Sequence, residues 1–185
     1  MRVITGTARG RRLHELKGYE TRPTTDKVKE GIFSAIQFDV EGSRVLDLFA
    51  GTGQMGIEAL SRGAVSAVFV DRRADAVKLV RDNLELCQLS DRAQVVCADA
   101  MAHLAAVRGK FDLIFLDPPY ETDLLERAIA HIARFDILAG HGIIVAESPV
   151  EKQLPALSAP YGVYREYRYG KIKVTVYHRS GEGEV

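Results

Sequence analysis

Tryptophan is absent from this chain of 185 residues, and cysteine is scarce, with Cys87 and Cys97 alone. Two cysteines at this separation do not have the spacing of a metal site, so we predict no bound metal and two free, buried thiols, as in a reducing compartment. No apolar run approaches the length of a membrane-spanning helix, and the N-terminus lacks the apolar segment of a secretory signal. These absences predict a cytoplasmic protein.

The chain also has no net charge, because 25 lysines and arginines balance 25 acidic residues. Whole-molecule electrostatics therefore do not indicate a nucleic-acid partner. The basic residues are nevertheless unevenly placed, since residues 1–29 carry eight of them against three acids, a local formal charge of +5. The length and a hydrophobic fraction of 46% are typical of one domain with an ample core.

We predict three segments: a basic hairpin arm over residues 1–20, a main domain over 21–179 and a flexible tail over 180–185. The arginines of the arm either form a solvated edge that blocks aggregation or contact phosphates. Because four of them fall in one short stretch, we favour the contact with phosphates. These arginines are Arg2, Arg9, Arg11 and Arg12.

The main domain alternates short apolar strands with amphipathic helices from Arg44 onward. Repeated strand–helix units of this length predict a mostly parallel sheet with helices on both faces and right-handed crossovers. The rhythm changes near the end, where residues 163–169 and 172–178 flank Gly170 and predict an antiparallel hairpin. The predicted fold class is therefore α/β, with an antiparallel hairpin at the edge of the sheet.

A glycine-rich turn follows the first strand, at residues 47–56. Gly51, Gly53 and Gly56 fit the pattern G-x-G-x-x-G between a strand and a helix, where the backbone can approach a cofactor closely. Asp71 closes the next strand, and a carboxylate at that point accepts hydrogen bonds from a ribose diol. This pattern fits a dinucleotide or a nucleoside. We assign the neighbouring residues of both strand ends to the same site: Phe49, Ala50 and Arg72.

Aspartates end each of the first four predicted strands: Asp47, Asp71, Asp99 and Asp117. Any one of them can be a helix cap, but four at the same edge of one sheet favour a shared site. A carboxylate at Asp47 repels a pyrophosphate in the glycine turn and attracts an ammonium group. Asp99, with Ala100 beside it, can read the amine of an adenine. These acids favour S-adenosylmethionine over NAD as the cofactor.

The fourth strand closes with Asp117-Pro118-Pro119-Tyr120, which we predict to be the catalytic turn. The Asp117 carboxylate and the Pro118 carbonyl can accept the two N–H bonds of an exocyclic amine and so aim its lone pair at a methyl donor. The prolines hold these acceptors in place before the reaction, and Tyr120 offers a ring on which a base can stack. The structural alternative is a proline-stiffened strand exit with a packed tyrosine, which the glycine turn upstream disfavours.

One more polar cluster precedes a helix predicted near residues 27–37. Thr24 or Thr25 can cap this helix, with Asp26 in its first turn. Arg22 and the two hydroxyls can alternatively hold an anion or the carboxylate of a cofactor. Capping alone explains the threonines, so the residues themselves leave both interpretations open.

Four segments together give the chain a resemblance to the RsmD family, bacterial methyltransferases that act on a guanine N2 of small-subunit ribosomal RNA. They are residues 22–30 (RPTTDKVKE), 47–53 (DLFAGTG), 56–64 (GIEALSRGA) and 117–120 (DPPY). Many amino-methyltransferases share the glycine and Asp-Pro-Pro-Tyr motifs, whereas the Arg-Pro-Thr-Thr segment with the basic arm is more specific. The resemblance covers nearly the whole chain.

The resemblance implies a Rossmann-like methyltransferase sheet with a reversed last strand. It also implies S-adenosylmethionine beside the glycine turn, a target base at residues 117–120, and closure of residues 22–26 over the cofactor. Glu58 and Arg62 fit the family pattern too, and we interpret them as groups on the helix surface or as groups that support the site from behind.

The predicted function is methyl transfer from S-adenosylmethionine to the exocyclic amine of a flipped guanine in 16S ribosomal RNA. We expect a monomer whose substrate is a partly assembled small subunit, because the basic patch is modest. The alternative is an amino-methyltransferase on DNA adenine or on a protein glutamine, whose amide nitrogen is delocalised too. More remote alternatives are an NAD-linked oxidoreductase and a module that binds a nucleoside without turnover.

Overall fold

A computed structural model describes residues 1–15 and 25–181 of the chain. Within these residues, seven strands form one sheet, and six α-helices and one short 3-10 helix (Ser90–Arg92) pack around it. The strands are β1 (Arg44–Asp47), β2 (Ser66–Asp71), β3 (Ala93–Cys97), β4 (Phe111–Leu116), β5 (Leu138–Pro149), β6 (Tyr161–Tyr169) and β7 (Ile172–Arg179). The helices are α1 (Asp26–Ala35), α2 (Gln37–Val40), α3 (Gln54–Ser61), α4 (Ala74–Cys87), α5 (Ala100–Ala106) and α6 (Leu124–Arg134).

The strand order is β3-β2-β1-β4-β5-β7-β6, and the first five strands along the chain are parallel. β7 lies antiparallel between β5 and β6, so the predicted α/β class and its antiparallel hairpin are confirmed. β1 and β4 occupy the centre and are largely buried, because helices cover both faces of the sheet. The carboxyl ends of the parallel strands meet at one edge, here called the carboxyl edge; the opposite one is the amino edge.

Two apolar cores lie on opposite faces of the sheet. Helices α1, α3 and α4 cover one face, and α5 and α6 cover the other. In α6 the buried residues recur at helical spacing, so a single stripe faces the sheet while the opposite face is polar. These residues are Leu125, Ala128, Ile129 and Ile132.

The N-terminal residues fold back on themselves and pack against α3. The Val3 N–H donates to the Arg11 carbonyl at 3.0 Å, and the Gly10 N–H donates to the Val3 carbonyl at 2.8 Å. Gly6 has a φ of +87°, and a Cβ atom there would lie 1.8 Å from the Ser61 carbonyl oxygen. Only glycine therefore allows the hairpin to approach the end of α3 this closely.

The cysteine prediction is wrong for one of the two residues. Cys87 is buried at the end of α4, as expected, but Cys97 is exposed. Cys97 is the last residue of β3, which is an outer strand of the sheet, so fewer elements are available to cover it. Across residues 1–15 and 25–181, no helix is long and apolar enough to cross a bilayer. The division of the chain at residues 20 and 179 stays a prediction.

Candidate functional site

The carboxyl edge brings the glycine turn and the Asp-Pro-Pro-Tyr turn side by side. Asp47 at the end of β1 is in register with Phe115 of β4, and the Leu48 N–H donates to the Phe115 carbonyl at 3.2 Å. β1 and β4 therefore end at the same level of the sheet. Asp117 follows β4 directly, so the turn predicted to hold a cofactor and the turn predicted to be catalytic share one crevice.

The glycine turn has the backbone that close approach to a ligand requires. Gly51 and Gly53 have φ values of +54° and +77°, in the left-handed region that disfavours side chains, and Gly53 caps the start of α3. A Cβ atom on Gly51 would meet no protein atom within 4 Å, so the space above the turn is open. At Gly56 the space is filled by protein, because a Cβ there would lie 2.3 Å from the Phe69 ring.

Asp71 fixes the glycine turn from the end of β2. Its carboxylate accepts hydrogen bonds from the Gly51 N–H and from the Arg73 N–H, each at 2.9 Å. The two bonds reach different oxygens, and a carboxylate oxygen can accept more than one hydrogen bond. The half-buried Asp71 side chain thus has acceptor capacity left for a diol while its orientation is already fixed.

Asp47 lies beneath the same turn and is buried. It accepts a hydrogen bond from the Gly56 N–H at 3.0 Å. Burial raises the pKa of the Asp47 carboxyl to about 7, the Gly56 hydrogen bond opposes that rise, and the charge of Asp71 adds to it. A cation placed at the turn would favour the charged form of this carboxyl.

The remaining residues assigned to the cofactor differ in their placement. Asp99 is exposed and caps α5, because its carboxylate accepts the Ala102 N–H at 3.0 Å. It therefore acts as a helix cap, as the sequence allowed, and its other oxygen can still accept a hydrogen bond from a ligand. Ala100 begins α5 and is buried. The other three follow the ends of β1 and β2: Phe49 is half-buried, Ala50 is buried and Arg72 is exposed.

The Asp-Pro-Pro-Tyr turn is held by a residue that sequence reasoning did not select. The Tyr120 hydroxyl donates a hydrogen bond of 2.6 Å to Glu147, which is 5% exposed near the end of β5. Asp117 is exposed and Pro118 is buried, so the carboxylate is accessible while the proline anchors the turn. The position of Glu147 could have indicated a role in the site, because this residue continues the series of acids at the carboxyl edge.

At the start of α1 the structure supports capping for one residue. Thr25 is the N-cap, and its hydroxyl accepts the Val28 N–H at 3.4 Å. Arg22 and Thr24 lie outside the described residues, so their part in closing over a cofactor stays a prediction.

Two buried polar residues tie the N-terminal segment to the site, and neither was predicted to do so. Asn83 of α4 accepts the His14 N–H at 2.8 Å and donates to the Thr52 carbonyl at 2.9 Å, which links the segment to the glycine turn. Glu58 of α3 accepts the N–H groups of Ile4 and Thr5 at 2.8 and 3.0 Å. Glu58 has no exposed surface, so the helix-surface alternative is wrong for it, and the alternative of a group that supports the site from behind stays open.

The four arginines predicted to contact RNA are all exposed in this segment. Arg2 has an acidic neighbour, with its Nε 3.4 Å from an Asp26 oxygen. Among the described residues, Arg9, Arg11 and Arg12 form no ion pair. The N-terminal segment therefore presents three cationic side chains to solvent.

The arrangement fits an adenosyl amino acid chemically. The open glycine turn admits a ligand, Asp71 and Asp99 offer acceptors for hydroxyl and amine groups, and the buried Asp47 lies where a cation is favoured. In the part of the chain that the structure describes, no group of three or more His, Cys, Asp or Glu side chains could hold a metal ion.

Comparisons with known proteins agree with this geometry. The family model described as "Conserved hypothetical protein 95" matches residues 1–178. The "Putative rRNA methyltransferase YlbH" of Bacillus subtilis (strain 168) is 45% identical over 184 residues, which cover 98% of this chain and 100% of that protein. The "Ribosomal RNA small subunit methyltransferase D" of Escherichia coli (strain K12) is 35% identical over 185 residues, which cover 100% of this chain and 92% of that protein.

A solved structure of a similar protein has the same fold. The solved structure of the "Putative methyltransferase yhhF from Escherichia coli" matches with a TM-score of 0.88 and 32% sequence identity. The match covers 98% of this chain and 99% of that one, so the N-terminal segment and the last hairpin are part of the shared fold.

Proposed function

Because the chain belongs to the RsmD family, whose model is described as Conserved hypothetical protein 95, we propose that it methylates a guanine N2 in 16S ribosomal RNA. The observation that carries the proposal is the shared crevice at the carboxyl edge, where the glycine turn and residues 117–120 meet. The names of two relatives support ribosomal RNA as the acceptor. The chemistry of the two turns supports an amine as the methylated group.

The cofactor proposed for the glycine turn is S-adenosylmethionine. When bound, it supplies an electrophilic methyl group on a sulfonium. Gly51 and Gly53 leave room for it, Asp71 accepts the hydroxyls of its ribose, and Asp99 with Ala100 flanks its adenine. Asp47 stabilises its ammonium from below the turn, and Arg22 with Thr24 and Thr25 closes over it.

The catalytic role falls to the turn after β4. A guanine N2 is a weak nucleophile, because its lone pair is delocalised into the ring. The Asp117 carboxylate accepts one N–H and the Pro118 carbonyl accepts the other, which localises the lone pair and directs it along the line of transfer. The carboxylate then takes the proton that the methylated nitrogen releases. Tyr120, fixed through Glu147, stacks on the base.

The base has to leave its stack to reach Asp117, so the target is an unpaired or flipped nucleotide. Arg9, Arg11 and Arg12 contact the RNA backbone beside it, and Arg2 adds to them. We propose a monomer that works without a metal on a partly assembled small subunit, where ribosomal proteins extend its modest basic surface.

The test is methyl transfer from labelled S-adenosylmethionine to four acceptors, followed by mass spectrometry of the nucleosides. The acceptors are naked 16S RNA, small subunits that lack the modification, duplex DNA and a glutamine-bearing protein fraction. We expect N2-methylguanosine in RNA or subunits. Label only in DNA or protein would replace the proposed substrate with adenine or glutamine, and cofactor binding without transfer to any acceptor would favour a binding module.

A matched pair of variants tests the role of Asp117. Asp117→Asn retains the shape but loses the charge, so we expect turnover to fall about 100-fold or more while cofactor affinity stays within about threefold. Asp123→Asn removes a nearby exposed acid that pairs with Arg127 on the surface, and it should leave turnover unchanged. Equal activity of the two variants would overturn the catalytic assignment.

A further inference from the structure

We propose that the outer strand β6 and its turn form a second RNA-contacting surface, which binds single-stranded RNA next to the target nucleotide. The inference rests on the proposed function and goes beyond it, because this surface lies in the C-terminal hairpin, far along the chain from the arginines of the N-terminal segment. We call it the β6 surface and define it by four exposed side chains: Tyr164, Arg165, Arg168 and Lys171.

The β6 surface lies in a cationic part of the chain. Residues 161–179 contain five lysines and arginines and one acid, a formal charge of +4 in a chain whose total is zero. Two of these cations are buried and paired: Lys173 lies 3.6 Å from Glu166, which also accepts the Thr175 hydroxyl at 3.2 Å, and Arg179 lies 2.7 Å from Asp136, outside this range. The exposed excess consists of the other three: Arg165, Arg168 and Lys171. This cationic excess suits a polyanion.

The exposed arginines of this molecule fall into two groups. Some face carboxylates, as in the pairs Arg44–Asp112 and Arg127–Asp123, whereas the arginines of the β6 surface belong with Arg9 and its neighbours in the N-terminal segment. No carboxylate among the described residues forms an ion pair with Arg165 or Arg168. Their charges are therefore available to phosphate groups.

The same strand carries a stacked arrangement of side chains. The Arg165 guanidinium lies 5.0 Å from the centre of the Tyr164 ring, and that ring lies 5.7 Å from the His178 ring. Tyr164 remains 57% exposed, and burial of its ring against a ligand would be favourable. Unpaired bases stack on aromatic rings and on guanidinium planes, so this arrangement offers a platform to single-stranded RNA in particular.

The end of β6 lies near the catalytic turn. Arg168 is in register with Lys173 of β7, which is in register with Ser148 of β5. Ser148 is the neighbour of Glu147, the residue that binds Tyr120. The end of β6 at Arg168 is therefore level with the catalytic turn, three strands away from β4, or about 14 Å at the usual spacing of strands. Arg165 is in register with Val176 and through it with Val145, so it lies about 10 Å further from the carboxyl edge. RNA whose flipped base enters the crevice can reach this surface.

An outer strand can also pair with a strand of another protein or of a second copy of the chain. The unneutralised arginines argue for RNA instead, because backbone pairing makes no use of them and like charges oppose the pairing of two copies. These two occupants are outcomes of the test.

The test compares wild type with the variant Arg165→Ala/Arg168→Ala. Two assays are used: steady-state methylation of the RNA or subunit acceptor, and anisotropy of a labelled single-stranded RNA titrated across a range of salt. The matched control is Arg108→Ala/Arg134→Ala, which removes the same charge from exposed residues on the α5–α6 side, where Arg134 also lies over an aromatic ring, that of Phe135. Thermal unfolding and cofactor binding check that both variants remain folded.

For the β6 variant we expect RNA affinity to fall about tenfold and the slope of log K against log salt to decrease by about 1.4, as for two lost single-strand phosphate contacts. KM for the acceptor should rise by a similar factor while kcat stays within about twofold. The control should match wild type in all of these. Equal losses in both variants would indicate a general charge effect and overturn the proposal.

The design separates this surface from the proposed function. If wild type transfers methyl groups to RNA and the β6 variant equals it in KM and affinity, the surface proposal is wrong and the function stands. If wild type binds RNA without methylating it and the β6 variant loses that binding, the function is wrong and the surface stands. A wild-type dimer that the β6 variant converts to a monomer, with RNA binding unchanged, would assign the strand to self-association and overturn the proposal.

Discussion

The Lys29 ammonium lies 3.7 Å from the Glu58 carboxylate, and both side chains are wholly buried between α1, α3 and the N-terminal segment. Burial lowers the pKa of Lys29, and the negative charge of Glu58 opposes that shift. Lys29 also donates to the Arg2 carbonyl at 2.6 Å, while Glu58 accepts N–H groups from the other side of the same segment. The pair thus attaches the basic arm to the helix that follows the glycine turn.

Removal of Glu58 should be severely destabilising. In Glu58→Ala the buried Lys29 charge loses its counter-ion and two backbone N–H groups lose their acceptor, which predicts a loss of about 3–5 kcal/mol in the free energy of unfolding. Urea denaturation measures it, with Glu85→Ala, an exposed acid of α4, as the control. Adding Lys29→Met should recover part of the loss, because it removes the unpaired cation. A loss below about 1 kcal/mol for Glu58→Ala would contradict this account.

The raised pKa of Asp47 predicts a pH-dependent difference between wild type and Asp47→Asn. The pKa is 3.8 for the unfolded chain and about 7 in the fold, so the folded state holds this proton more tightly. Stability from the protonated group is complete below pH 3.8 and is lost as pH rises through 7. Asparagine never ionises, so the variant should gain stability over wild type as pH increases from 5.5 to 8.

Denaturation of both proteins at several pH values, without cofactor, measures this difference. The gain should be on the order of a few kcal/mol at pH 8. S-adenosylmethionine should reduce it, because a bound ammonium favours the charged carboxylate of the wild type. A difference that does not vary with pH would show that Asp47 is already ionised throughout this range.

Local sequence signals were enough to predict the strands, the glycine turn and the capping of α1, because each of these depends on a few neighbouring residues. The hydrogen bonds of Glu58 and Asn83 could not be predicted for a physical reason. Their partners lie 54 and 69 residues away along the chain, and the local sequence of the two helices carries no signal for them. α3 is buried all round because the N-terminal segment covers the face that periodicity assigns to solvent. The series of acids at strand ends did extend to Glu147, but the Tyr120 contact required the sheet order.

The hydrogen bond from Tyr120 to Glu147 predicts that the tyrosine has two separable contributions. Tyr120→Phe keeps the ring but loses the 2.6 Å bond that orients it, so we expect kcat to fall about tenfold with little change in acceptor KM. Tyr120→Ala also loses the stacking face, which is worth about 1–3 kcal/mol per base, so KM should rise as well. Steady-state methylation kinetics separate the two. If phenylalanine and alanine behave alike, the ring does not stack on the base.

Asp71 should act on the cofactor and leave the chemistry intact. Both of its oxygens accept N–H groups of the turn, so Asp71→Asn places an amide N–H against the N–H of Gly51 or of Arg73 and loses the charge that holds a diol. Charged hydrogen bonds contribute about 1.5–3 kcal/mol, which predicts a Kd for S-adenosylmethionine that is higher by about 10-fold to 100-fold. At saturating cofactor, kcat should stay within about threefold of wild type. Calorimetry gives the Kd, and Asp75→Asn, which removes a nearby exposed acid from the first turn of α4, should bind like wild type. A fall in kcat without a change in Kd would move Asp71 from the cofactor site to the reacting groups.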